Sequence, residues 1–462
     1  MQLPTIRCAF LGVALVVAGT TMTCTSWAVP ADQPPDFVPL GVYLSWERIG
    51  ANAKVRGIDR WQDACERLNA LESCKVNLLW VTNMSEDDLP RLIDECRTRG
   101  MYLLPSMSSI EAKVDWRWAK DGAYYTKRIP RVLAKAGTDR TLVGWVLSDE
   151  PLKKHFTRVT DLRKRFREAD PNRFSTAVTM WPQTPPVARE LNLPVVCVDL
   201  YPFFGPKDPN GPHTDSASKS FFRRNSAAMI EAIGARNAVG WVMGMCFSDI
   251  WGPRRYDSQG HLIGLPGSYL HWRAPTLAEM RWQVWETFRS GAKGFVSYTL
   301  APEAPKAGTE TLDPPKVTWT NVLAKTETDL GPNALTNPDG SVTPQLSELG
   351  RLYTRLTPHT ALIRRWQRSG EPLLETSEPG KGQLLTDPGD GVIYAVVLND
   401  DLQREQTITV RVGERVAAVR DLLAGKTLAL TKDFAGGSST VSIRLAAGDG
   451  AVLVLDRQAA GN

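Results

Sequence analysis

The sequence predicts an α/β fold: a (β/α)8 TIM barrel followed by a small C-terminal antiparallel β-sandwich. Three observations carry this. From about residue 39, short apolar runs alternate with segments whose apolar residues recur at helical spacing, the pattern of parallel strands joined by helices. Eight such runs occur over the length one barrel needs. After Arg368 the chain changes to short alternating segments separated by Gly, Asp and Asn turns, which reads as paired antiparallel strands.

The eight expected strands are Leu40 to Trp46, Val76 to Thr82, Met101 to Met107, Leu142 to Ser148, Phe174 to Met180, Val195 to Tyr201, Gly240 to Phe247 and Gly294 to Leu300. In the fourth, Val143, Trp145 and Leu147 alternate with Gly144, Val146 and Ser148. Nearly all are apolar, as in a strand covered on both faces. Helical spacing appears over Gly57 to Ala70, with Trp61, Ala64, Cys65 and Leu68 on one face, and over Glu86 to Arg99. Leu346 to Ile363 reads as the last barrel helix. The barrel is expected to span 37–368 and the sandwich 372–457, with strands at Gly391 to Leu398, Thr407 to Val412, Val441 to Leu445 and Ala451 to Leu455. An open doubly wound sheet is the alternative, but no Gly-x-Gly-x-x-Gly follows the first strand, so no dinucleotide cofactor is implied.

The first residues combine Arg7, an apolar run from Ala9 to Gly19 and the small-residue site Ser26-Trp27-Ala28, the layout of a secretory signal peptide cleaved after Ala28. The apolar run is shorter than the roughly 20 residues of a membrane span. An exported chain, periplasmic or extracellular, with no membrane association after cleavage is therefore expected. Cys65, Cys74 and Cys96 are then possible disulfide formers, while Cys197 and Cys246 lie in apolar runs and read as core. No Cys or His spacing suits a metal. The net charge of +5 over 462 residues, with no basic cluster, argues against nucleic acid. Oligomeric state has no sequence signal.

In a barrel, chemistry sits at the carboxyl ends of the strands. Glu150 is the leading residue there, because the fourth strand ends in Asp149-Glu150-Pro151 and Pro151 cannot continue a ladder. The other strand ends supply Trp46, Glu47, Asn83, Trp181, Asp199, Tyr201, Asp249, Trp251 and Tyr298. Carboxylates, aromatic rings and hydroxyls without a histidine pair suit a sugar better than a metal or phosphate. Cleaving a glycosidic bond needs a carboxylic acid for the leaving oxygen, and usually a second carboxylate. Burial and a like-charged neighbour such as Asp149 raise an acid's pKa. Bland roles compete: Asp149 as a turn cap, Asp199 as a loop anchor, Asp249 as a solvated loop residue. Fifteen tryptophans exceed an ordinary core's need, and Trp46, Trp181, Trp251 and Trp272 fall where rings could stack on a ligand. Glu279 and Arg281 read as a helical surface pair.

Several motifs resemble those of secreted glycoside hydrolase barrels. These are Trp145-Val-Leu-Ser-Asp149-Glu150-Pro151, Val198-Asp199-Leu-Tyr201-Pro202, and Arg273-Ala-Pro275-Thr-Leu-Ala-Glu279-Met-Arg281 followed by Gly291-Ala-Lys-Gly294. Ala334 to Gly340 followed by Thr343-Pro344 is similar to β-galactosidase-type enzymes of that clan. The resemblance implies Glu150 as acid/base; the strand-end and loop positions give Trp46, Glu47, Asn83, Trp181, Tyr201, Asp249, Trp251 and Tyr298 as the expected substrate-binding set. In that clan asparagine precedes this glutamate and a second glutamate closes strand seven. Here Asp149 takes the asparagine's place, and strand seven ends in Ser248-Asp249. Asp199, Asp249 or Glu47 could supply the second carboxylate. An adjacent Asp-Glu pair also resembles hexosaminidase barrels, in which the substrate's acetamido group is the nucleophile. A barrel that binds carbohydrate without cleaving it is the competing class.

Overall fold

The computed structural model describes residues 33–457 except 108–121, 207, 209–210, 235, 257–261, 267, 304–332, 370–374, 414 and 433–437. The expected signal peptide, residues 1–28, lies outside the described residues.

Seven barrel strands come first: β1 (Leu40–Ser45), β2 (Leu78–Thr82), β3 (Tyr102–Pro105), β4 (Gly144–Asp149), β5 (Phe174–Thr179), β6 (Val195–Leu200) and β7 (Val239–Met245). An insertion follows, with short strands β8 (Asp249–Trp251), β9 (Arg254–Tyr256), β10 (Leu262–Gly264) and β11 (Tyr269–Trp272). β12 (Phe295–Tyr298) is the eighth barrel strand. All eight expected strands are present. They pair in parallel in the order β3-β2-β1-β12-β7-β6-β5-β4, and bridges Leu103–Leu142 and Ser106–Val146 close the ring between β3 and β4.

Around the barrel lie α1 (Trp46–Arg56), α2 (Arg60–Ser73), α3 (Leu89–Thr98), α4 (Gly122–Ala136), α5 (Phe156–Ala169), α6 (Thr184–Glu190), α7 (Asp215–Ile233), α8 (Leu277–Arg289), α9 (Pro344–Leu356) and α10 (Thr360–Arg365). The near-continuous apolar strands follow from two shells of packing. Trp80, Val146, Phe174 and Trp241 fill the barrel interior, while Trp145 and Leu147 face the helices. Gly144 is required at the base of β4, because a Cβ there would stand 2.6 Å from the Phe174 carbonyl oxygen.

Three local expectations change. Trp46 does not end a strand; it opens α1, where its ring is buried against Trp61 at 4.7 Å and its indole N–H donates to Asp88 at 2.8 Å. The expected last helix breaks near Thr357 into α9 and α10. Glu279 is not on the surface: it is buried at the start of α8, completes a capping box with Thr276 and accepts from Arg273. All five described cysteines are free thiols, with Cys197 and Cys246 in the core as expected.

The C-terminal unit stacks a six-stranded antiparallel sheet on a three-stranded one, with Ala395, Val397, Ile408, Val410 and Leu453 between them. Two of its aspartates fasten it to the barrel. Asp400 accepts from the Trp282 indole at 2.8 Å and from Arg223 at 2.6 Å. Asp449 accepts from the Trp285 indole at 2.8 Å and from Arg355 at 3.0 Å. Both tryptophans are fully buried on α8, so losing their acceptor leaves a buried donor orphaned. Asp449→Ala should lower unfolding free energy by about 2–3 kcal/mol, since Arg355 also loses its partner. Chemical denaturation measures this; an unchanged midpoint would show that the aspartate contributes nothing to docking.

Candidate active site

A cavity of about 280 Å³ opens at the carboxyl ends of the barrel strands, and Asp149, Glu150, Asp199 and Asp249 all line it. Simple strand alternation would send Asp149 and Glu150 to opposite faces. Two local features override it. The pairing of β4 with β5 shifts register between Val146 and Ser148, a bulge that re-aims the residues after it. Glu150 then turns with φ of 46°, a left-handed conformation that non-glycine residues rarely adopt, while its N–H stays bonded to the Val178 carbonyl at 3.0 Å. Held strain of this kind clusters at functional positions.

Asp199, from the end of β6, lies beside Glu150, close enough for the two carboxyl groups to repel when both are charged. Burial, then the charge of Glu150, and then Asp149 raise the Asp199 carboxyl well above the usual carboxylate range. Asp199 Oδ1 is buried without a partner. Asp249, at the start of β8 just beyond β7, is pushed up to about 6 by burial, although Arg254 and hydrogen bonds from the Ile250 N–H at 2.9 Å and the Trp251 indole at 3.2 Å favour its charge.

Aromatic rings form one wall. Tyr201 meets Phe247 at 5.2 Å, Trp272 at 5.5 Å and Tyr298 at 5.6 Å, and Tyr298 meets Tyr43 at 4.6 Å. Burial drives the hydroxyl pKa values of Tyr43, Tyr201 and Tyr298 upward, so they remain neutral donors. The indole N–H of Trp272 and the hydroxyl of Ser248, both on lining residues, are buried without partners. Together with Asp199 Oδ1 they form an unused polar set of the kind a hydroxyl-rich ligand satisfies. Opposite them, Arg48 donates to Glu303 at 3.2 Å and approaches the Tyr298 hydroxyl at 3.5 Å, while Arg254 lies 3.6 Å from Glu303.

The β8–β11 hairpin carries Trp272 to this wall. The loop after β6 is stitched to it by the Gly205 N–H on the His271 carbonyl at 2.9 Å and the Arg273 N–H on the Phe203 carbonyl at 3.1 Å. Only glycine permits that approach, as a Cβ at Gly205 would lie 2.0 Å from the Leu270 carbonyl oxygen. Below the wall, His271 pairs with Asp208 and stacks on Trp251 at 3.9 Å.

The structure thus brings together Glu150, Asp149, Asp199, Tyr201, Asp249 and Tyr298 from the expected set. Five expected substrate contacts do not line the cavity. Trp46 is core beneath α1, and Glu47 is exposed on that helix's first turn. Asn83 takes the left-handed turn after β2, with φ of 55°, and bonds Ser45 at 3.3 Å. Trp181 is exposed outside the cavity, and Trp251 supports Asp249 and His271 from behind. Of the four tryptophans expected to stack on a ligand, Trp272 alone lines this cavity; Trp46 is one of seven tryptophans that are fully buried. Arg48 and Tyr43 were missed. Arg48 follows the first strand by one helical turn, a position legible only once Trp46-Glu47-Arg48 is known to be a helix start. Among the described residues, no group of three or more His, Cys, Asp or Glu side chains is placed to hold a metal ion.

No protein-family model and no curated sequence matches the chain. Solved structures do. The protein AmyP in complex with maltose aligns with a TM-score of 0.52 at 10% identity, over 92% of this chain and 98% of that one. A variant of AmyP in complex with maltotriose gives 0.55 at 10% identity, over 91% and 98%. The likeness spans both the barrel and the C-terminal sheets, and at this identity it is a likeness of fold: the chain is a (β/α)8 barrel with a C-terminal β-sandwich.

Proposed function

We propose that the chain is an exported glycoside hydrolase that cleaves an O-glycosidic bond of an oligo- or polysaccharide, with Glu150 as the general acid. The observation that carries this reading is that Glu150 and Asp199 line one cavity side by side against a wall of aromatic rings. Two neighbouring carboxyl groups hold one proton where lone carboxylates would hold none. Asp199 stores that proton; Glu150 delivers it to the leaving oxygen as the C1–O bond breaks. The maltose and maltotriose in the fold's solved relatives agree with a carbohydrate ligand.

Asp199 cannot also act from the far side of the sugar. Opposed catalytic carboxylates stand about 5 to 5.5 Å apart in retaining enzymes and about 6.5 to 9.5 Å apart in inverting ones, whereas Asp199 stands beside Glu150 rather than across a sugar from it. Asp249 is the second carboxylate of this reading. It takes the strand-seven position where related barrels place a glutamate, lines the same cavity and is ionised above about pH 6. Tyr201, Tyr298 and Trp272 bind the ring, and Arg48 its hydroxyls.

One observation favours a second reading. Asp149 and Glu150 are adjacent and both line the cavity, so Asp149 could orient a 2-acetamido group that serves as the nucleophile. Turnover of aryl N-acetylhexosaminides, beside silence toward aryl hexosides, would select it.

The pH profile tests the main reading. Activity should rise as Asp249 ionises through about 6 and fall at higher pH as Asp199, raised by burial, gives up its proton beside the general acid, so kcat/KM on an aryl glycoside should be bell-shaped with an acid limb near 6. A rate that keeps climbing toward pH 4 would remove Asp249 from the mechanism. No hydrolysis across a panel of aryl glycosides, with sugar binding retained, would leave a binding protein.

A further inference from the structure

The opposite mouth of the barrel holds a larger cavity that the proposed chemistry does not use. It spans about 1070 Å³ at the amino ends of β1, β7 and β12, between the loop after α7 and the segment that follows α10. Five basic side chains line it, Arg236, Lys293, Arg364, Arg365 and Arg368, against one carboxylate, Asp36, among the described residues. Arg365 is committed to Asp387 at 2.7 Å. The others have only uncharged acceptors: Arg236 donates to the Ile233 carbonyl at 3.1 Å, Lys293 to that of Ile363 at 3.1 Å, Arg364 to that of Pro35 at 3.3 Å and Arg368 to the Gln383 side chain at 3.3 Å.

Two further donors are idle. Arg236 Nη1 is buried without a partner, and so is the indole N–H of Trp366, a lining residue that is only 2% exposed. Arg236 and Lys293 are partly withdrawn from water, which is costly without an anion nearby, and a buried donor without an acceptor adds to that cost; Arg364 and Arg368 line the open rim. Burial pushes Lys293 down to about 7 and lowers Arg236 as well, with no carboxylate acting in the other direction. An anion seated among these groups would satisfy all of them at once.

We propose that this cavity is a binding site for a tetrahedral oxyanion, sulfate or phosphate, taken either as the free ion or as an ester on a glycan. Arg236 Nη1 and the Trp366 indole supply directed hydrogen bonds, and Lys293 and Arg368 supply charge. The volume slightly exceeds the roughly 300–1,000 Å³ typical of small-molecule sites, which leaves room for a sugar behind the ester. Because the amino-terminal mouth of such barrels is not the catalytic face, the site would anchor or stabilise the protein on an acidic glycan rather than take part in cleavage. The inference stands apart from the activity proposed for the other mouth.

Isothermal titration of the full chain with inorganic sulfate, inorganic phosphate, a sulfated disaccharide and its unsulfated counterpart tests it, with sodium chloride at matched ionic strength as control. Saturable binding of an oxyanion is expected, weakened about tenfold or more in both Arg236→Gln and Arg368→Gln, the equivalent of one lost charged hydrogen bond. Hydrolytic activity should be unchanged in both variants. Binding of the sulfated disaccharide in preference to free ions identifies the ester; binding of the free ions alone identifies a small oxyanion. Arg368 is exposed, so its variant keeps the test valid even if Arg236→Gln fails to fold. No saturable binding by any oxyanion, binding as tight by the unsulfated sugar, or affinity undiminished in Arg368→Gln and in a folded Arg236→Gln would each overturn the proposal.

Discussion

Glu150→Gln should lower kcat on glycosides with poor leaving groups by about 10²–10⁴-fold, the usual contribution of a positioned general acid. The amide keeps the side chain's shape, so the fold and the cavity should persist. It has no proton to give the departing oxygen. The loss should shrink sharply on a dinitrophenyl glycoside, whose leaving group departs without protonation. That contrast is the diagnostic result. Equal losses on both substrates would point to a structural role for Glu150, and wild-type turnover of an unactivated substrate would remove it from the mechanism.

Asp199→Asn should move the alkaline limb of kcat/KM to lower pH by at least about one unit, a change of roughly 1.4 kcal/mol in the protonation equilibrium of the pair. The asparagine amide carries no titratable proton, whereas burial and then the neighbouring Glu150 and Asp149 hold the wild-type Asp199 carboxyl protonated well above the usual carboxylate range. At alkaline pH the variant should therefore be the poorer catalyst. Its stability should change in the opposite sense. A carboxyl whose folded-state pKa is raised contributes stability that is fully present below its unfolded value and is lost as pH rises through the folded value. Removing Asp199 removes that loss, so unfolding of the variant should depend less on pH above neutrality. Parallel pH–activity and pH–unfolding series measure both effects. An unmoved alkaline limb would mean that Glu150 is protonated without help from Asp199.

Much of this site was legible without coordinates because barrel topology sorts residues by strand end. Once eight strands are counted, Glu150, Asp199, Tyr201, Asp249 and Tyr298 fall on one face, and all five line the cavity. The errors share a cause. Trp46, Glu47, Asn83 and Trp181 also sit at strand ends, but what such a residue faces depends on the first turn after the strand. At Trp46 that turn is a helix that buries the ring; at Asn83 it is a left-handed residue that bends the chain aside. The tryptophan excess misled for a related reason, since composition counts rings and packing decides which of them meet solvent.

The sequence by itself determined the architecture and singled out Glu150 as the candidate acid, because apolar periodicity and a proline-terminated strand are local properties of the chain. It left open which carboxylate partners Glu150. That choice belongs to the tertiary structure: the bulge in β4 and the left-handed turn at Glu150 set the side chain against Asp199 on β6, two strands away around the ring. Residues 49 positions apart in the chain line one cavity side by side only when the barrel closes.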